Sequence, residues 1–157
     1  MIKTKRVKLT PKELFLILIL QYLKKRWWLF AWIFILAIIM LGLDGIGDSF
    51  KIFFILFTII CPILIVIQFW MHVVSKDNKI MFLERYYEID NEKINGIIDQ
   101  DTYSPVKLDY FIKVDFIRKT YLLYIAKNQF IYIPANSFES DADREWFDNE
   151  IVKKIKK

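Results

Sequence analysis

Hydrophobic and polar positions are segregated along this chain. Trp27 to Leu43 runs 17 residues without a charge, and Ile52 to Val74 runs 23. As helices rising 1.5 Å per residue, these stretches measure about 25 and 34 Å. The second is long enough to span a bilayer with some tilt, and the first sits at the short end of that range. Between them lies Asp44-Gly45-Ile46-Gly47-Asp48-Ser49, whose glycines suit a tight reversal. The pattern predicts a transmembrane helical hairpin. An 83-residue remainder is too small to bury two helices that are apolar all round.

A shorter helix is predicted ahead of the hairpin. Thr10-Pro11-Lys12-Glu13 reads as a cap, a first-turn proline and a capping-box glutamate. The apolar run that follows, Leu14 to Leu20 with Tyr22 and Leu23, covers about half a bilayer. It is expected to lie in the membrane interface. Gln21 to Arg26 offers no small-residue cleavage site, so an uncleaved anchor is expected rather than a signal peptide.

After Ser75 the period changes to two. Between 107 and 117, Leu108, Tyr110, Ile112, Val114 and Phe116 share one face, with Lys107, Asp109, Phe111, Lys113, Asp115 and Ile117 on the other. That is the signature of a half-buried strand. Tyr121–Ala126 and Phe130–Ile133, joined by Lys127-Asn128-Gln129, read as a hairpin. Weaker strand signals cover Ile80–Asp90 and Lys93–Ile98, with Asn95-Gly96 marking a turn or bulge. A final helix starts at Ser140, with Asp141, Asp143 and Glu145 at its positive end. It carries an apolar stripe of Trp146 or Phe147, Ile151 and Ile155, and ends in Lys153, Lys154, Lys156 and Lys157. The expected fold is a membrane α-helical hairpin plus a small α+β domain, a bent antiparallel sheet of five to seven strands closed by a C-terminal helix. Three regions follow: a basic arm and interfacial helix (1–26), the hairpin (27–74) and the sheet domain (75–157).

Charge sets the orientation. The net charge is +5, but residues 1–26 alone carry eight basic side chains against Glu13, while 75–157 carry 14 basic and 15 acidic. Lys76, Lys79 and Arg85 follow the second span, whereas the connecting turn holds Asp44, Asp48 and a single lysine, Lys51. Both termini are therefore expected in the cytoplasm. Trp27, Trp28 and Trp70 fall at that same interface as membrane anchors. A domain without excess positive charge argues against nucleic acid as a partner.

Candidate chemistry is sparse. His72 and Cys61 are the only histidine and cysteine, and 11 residues of helix separate them by about 16 Å, too far for a dyad. No phosphate loop, zinc motif or paired-cysteine site occurs, so neither catalysis nor a cofactor, metal or small-molecule substrate is expected. Gln68 and His72, at i and i+4, could meet a partner helix, although a histidine beside Trp70 also suits simple placement at the interface. Pro62 is expected to kink the second span. Asp44 and Asp48 flank the only part expected outside the cytoplasm, where an external partner would meet the chain.

The order of two spans after a short helix, then Tyr121-Leu122-Leu123-Tyr124-Ile125-Ala126-Lys127-Asn128-Gln129-Phe130-Ile131-Tyr132-Ile133-Pro134, then Phe138 and an acidic helix with Phe147, resembles the YcxB-like family of bacterial membrane proteins. The resemblance implies a pleckstrin-homology-like (PH-like) C-terminal domain and a bacterial inner membrane. Ala135-Asn136-Ser137 stands where basic residues commonly follow the family's Ile-Pro pair, so this loop brings no cations to a lipid phosphate. The expected role is an adaptor that engages another membrane protein or a like copy. The alternatives are an immunity protein facing a membrane-directed toxin, and a sensor of anionic lipid.

Overall fold

A computed structural model describes residues 1–43, 47–99, 102–127 and 129–155. The Asp44-Gly45-Ile46 part of the turn, Asn128, and Lys156-Lys157 lie outside the described residues. The chain forms two compact units: Met1–Thr10 with Ile80–Lys157, and Pro11–Lys79.

The second unit is the expected pair of helices, α1 (Pro11–Gly42) and α2 (Asp48–Val73). Both are long and apolar enough to cross a membrane. α1 begins at Pro11, and its backbone leaves helical geometry at Arg26 (φ −128°, ψ 21°). The break falls where the short helix and the first span were expected to meet. α2 continues through Pro62, beside which the Thr58 hydroxyl donates to the Phe54 carbonyl at 2.8 Å. The helices are joined by aromatic contacts: Phe15 meets Trp70 edge-to-face at 5.5 Å, and Tyr22 meets Phe69 at 5.3 Å.

Among its described residues, the first unit forms seven strands in two antiparallel sheets. One has the order β1-β2-β3-β4 (Ile2–Lys3, Tyr86–Ile89, Lys93–Ile97, Tyr103–Lys107), the other β5-β6-β7 (Lys113–Ile117, Thr120–Ala126, Gln129–Pro134). The C-terminal helix follows as α3 (Asp141–Trp146), a π-helical stretch (Phe147–Val152) and a last turn, α4 (Lys153–Ile155). Ser140 caps it as expected, its hydroxyl accepting the Asp143 N–H at 3.1 Å. Phe147 and Ile151 are wholly buried with Ile89, Ile94, Leu123 and Ile133. Phe147 packs 5.1 Å from the Tyr121 ring and 5.2 Å from Phe138.

Three expectations are revised here. First, the opening ten residues belong to the sheet domain. Ile2 and Lys3 pair with Ile89 and Glu88, Thr4 bridges to Phe138, and Val7 exchanges backbone bonds with Arg85 at 2.7 and 2.9 Å. Their lysines and arginine flank a short strand whose alternate side chains, Ile2 and Thr4, are buried. The helical hairpin is thus inserted between β1 and β2.

Second, 107–117 is not one strand. β4 ends at Lys107, a 3₁₀ turn spans Leu108–Tyr110, and β5 starts at Lys113. The buried residues are Leu108, Phe111 and Val114, three apart. A 3₁₀ turn places i and i+3 on one side, which carries the chain from one sheet to the other with its apolar side inward. Tyr110, Ile112 and Phe116, expected on the buried face, are exposed.

Third, Gly96 is neither turn nor bulge. It lies inside β3, opposite Tyr87 and Ser104. A Cβ there would stand 3.3 Å from Cε1 of Tyr87, so glycine is what lets the tyrosine ring lie over the strand. The turn from β2 to β3 comes earlier, where the Asp90 carboxylate accepts the N–H groups of Glu92 and Lys93 at 2.8 Å each. The Glu92 bond leads in holding that carboxyl below its ordinary range.

Candidate functional site

Two clefts stand out, one in each unit. In the sheet domain, a cleft of about 260 Å³ opens between the sheets, lined from one side by Tyr87, Ile98, Tyr103 and Val106 and from the other by Ile125, Phe130 and Ile131. Val7, Leu9 and Ile80 complete its wall. Most of the lining is apolar, yet Ile80 and Tyr103 are about two-thirds exposed. Large apolar side chains exposed around an apolar hollow are the usual mark of a binding surface.

Arg85 organises this cleft. Its backbone pairs with Val7, its Nε donates to the Leu83 carbonyl at 3.4 Å, and a guanidinium nitrogen donates to the Ile80 carbonyl. The same side chain acts electrostatically on the Tyr87 phenol. Burial nevertheless dominates and pushes the Tyr87 phenol up to about 12, with Arg85 opposing it. Tyr87 is held from behind by the buried Thr4, whose hydroxyl accepts the Tyr87 N–H at 2.9 Å while its own N–H donates to the Tyr87 carbonyl at 2.9 Å.

Elsewhere in the domain the Tyr121 hydroxyl donates to the Asp148 carboxylate at 2.9 Å and accepts from Arg144 Nε at 3.3 Å. This ties the C-terminal helix to β6. Burial leads in raising the Tyr121 phenol. These bonds are used up between helix and sheet, so the group reads as a clamp.

The second cleft lies between α1 and α2, about 450 Å³, lined by Tyr22, Arg26, Ile65, Gln68, Phe69 and His72. It brings together two of the residues singled out from sequence, Gln68 and His72, and adds Tyr22 and Arg26 from the break in α1. Each pair is spaced i, i+4, which puts both members on one face of their helix. That matched spacing was the available signal, obscured because Arg26 counts equally well as an orientation charge. Trp27 and Trp28 are exposed on α1, and Trp70 is partly exposed against Phe15. Asp48 opens α2 as an exposed first-turn acid, away from the residues of this cleft, and Asp44 lies outside the described residues.

Among the described residues, no three His, Cys, Asp or Glu side chains gather in a way that could hold a metal ion. Compared with protein-family models, with curated proteins and with solved structures, the chain matches none.

Proposed function

We propose that this chain is a non-enzymatic bacterial inner-membrane protein, in which α1 and α2 anchor a PH-like domain that acts as an adaptor for another membrane protein or for a second copy. Sheets of four and three strands followed by one helix support the PH-like reading. So does the resemblance of Tyr121–Phe138 to the YcxB-like family. Pairing of Ile2–Lys3 with β2 favours both ends of the chain on one side of the membrane, since the first strand and the rest of its sheet flank the two helices. The arginine and lysine bias favours the cytoplasm for that side.

The observation that carries the adaptor reading is the inter-sheet cleft with Ile80 and Tyr103 exposed at its rim. Its size suits one or two apolar side chains of a partner. The test is purification of the full-length protein from native membranes in gentle detergent, beside an Ile98→Glu variant that places a charge in the cleft. A stoichiometric partner recovered with the native chain and lost with the variant is the expected result. Equal recovery with both would remove the cleft from the interaction, and recovery of the chain alone, sized as a monomer, would end the adaptor reading.

A further inference from the structure

The cleft between the helices has a chemistry of its own. Arg26 is the last cation before the uncharged run that starts at Trp27, and His72 stands near the end of α2. Both therefore sit at the same edge of the apolar slab, beside the tryptophans expected at that interface. The break at Arg26 lets its guanidinium lie back over the Tyr22 ring, 5.7 Å from the centroid. Stacking occupies the face of a guanidinium and leaves its N–H edge available to an anion. Gln68 and His72 add further hydrogen-bonding groups from the facing helix. No carboxylate among the described residues pairs with Arg26 or His72, whereas Lys3, Arg6, Lys113 and Lys154 all have one.

A cationic, donor-lined cleft between two helices at the polar edge of a membrane matches one ligand well. Its volume of about 450 Å³ admits a headgroup, the Arg26 guanidinium fits one phosphate, and Ile65 and Phe69 in the lining suit the start of an acyl chain. We propose that Tyr22, Arg26, Gln68 and His72 bind the phosphate of an anionic phospholipid. The assignment rests on the membrane reading above and adds a defined lipid site to it.

The test uses the full chain in detergent micelles, titrated with short-chain phosphatidylglycerol, short-chain phosphatidylcholine and inorganic phosphate, with bound lipid counted by native mass spectrometry. Phosphatidylglycerol is expected to bind at one site in preference to phosphatidylcholine. Arg26→Gln should weaken it about tenfold or more, the scale of a lost charge-assisted bond. Gln68→Leu, which keeps every cation, should weaken it about threefold, and Lys51→Gln, at the other end of α2, should leave it unchanged. Equal affinity for the two lipids, or no loss in both cleft variants, overturns the site. Displacement by millimolar inorganic phosphate would reassign it to a free phosphate compound. An alkaline carbonate wash of native membranes separates the two levels of the argument: a chain released by the wash refutes the membrane reading itself, and a retained chain leaves the titration to judge the cleft.

Discussion

The turn joining β5 to β6 is built from residues that resist its shape. Arg118 and Lys119 connect Ile117 to its partner Thr120, and both have positive φ, 51° and 59°. Two-residue hairpins need this left-handed geometry because it matches the twist of the strands, and Asn-Gly supplies it most cheaply. An L-residue with a long side chain gives up about 1 kcal/mol at each such position. The conformation persists because it is fixed from outside: the Lys119 carbonyl accepts the Ala135 N–H at 2.8 Å. Replacing the pair with Asn-Gly (Arg118→Asn with Lys119→Gly) should relieve about 2 kcal/mol. The greater freedom of glycine in the unfolded chain returns up to about 1 kcal/mol of that. A net gain of about 1–2 kcal/mol corresponds to roughly five- to thirtyfold slower opening. Hydrogen–deuterium exchange on the full-length protein in detergent, followed on peptides covering 113–126, reads this directly. Unchanged or faster exchange would refute the strain argument and mean that the tertiary anchor at Ala135 supplies the geometry without cost.

Other consequences are as definite. Thr4→Val deprives the buried Tyr87 N–H of its acceptor and should cost about 1–3 kcal/mol, seen as a lower urea midpoint for the sheet domain. Gly96→Val drives a side chain into the Tyr87 ring and should destabilise by about 1–3 kcal/mol, measured the same way, with Gly96→Ala the milder case. The Tyr87 phenol is raised to about 12 from its ordinary 10, so the folded state holds that proton more tightly than the unfolded one. Its contribution is complete below pH 10 and is lost as pH rises towards 12, about 3 kcal/mol in all. Tyr87→Phe should flatten that alkaline decline in a pH series of unfolding midpoints, leaving the smaller share due to Tyr121.

The elements readable from sequence were those whose pattern is long or locally complete. Two uncharged runs announced α1 and α2, the Tyr121–Pro134 stretch announced β6 and β7, and Ser140 with its following acids announced the last helix. β1 was hidden because the lysines and arginine between Ile2 and Val7 already had an explanation as orientation charges. β4 was hidden by Pro105, which a strand tolerates here because β4 is an edge with no further neighbour to bond. The 107–117 alternation misled because a 3₁₀ turn interrupts it and shifts the buried set to Leu108, Phe111 and Val114. For the sites, one pair of the interhelical cleft was visible and the other was not. The inter-sheet cleft is assembled from residues as distant as Val7 and Tyr132, which no local pattern links.

The insertion of the hairpin between β1 and β2 also fixes an order of events during synthesis. β1 leaves the ribosome first and must wait some eighty residues for Glu88 and Ile89. Closing so long a loop by chance carries a cost that rises with the logarithm of its length. Once α1 and α2 have packed, with Phe15 against Trp70, residues 10 and 80 are delivered to the same neighbourhood and most of that cost is already met. Hairpin assembly therefore acts as the template for the sheet. A chain whose helices fail to pair would display β2 without β1 beside it, an open strand edge exposed to aggregation.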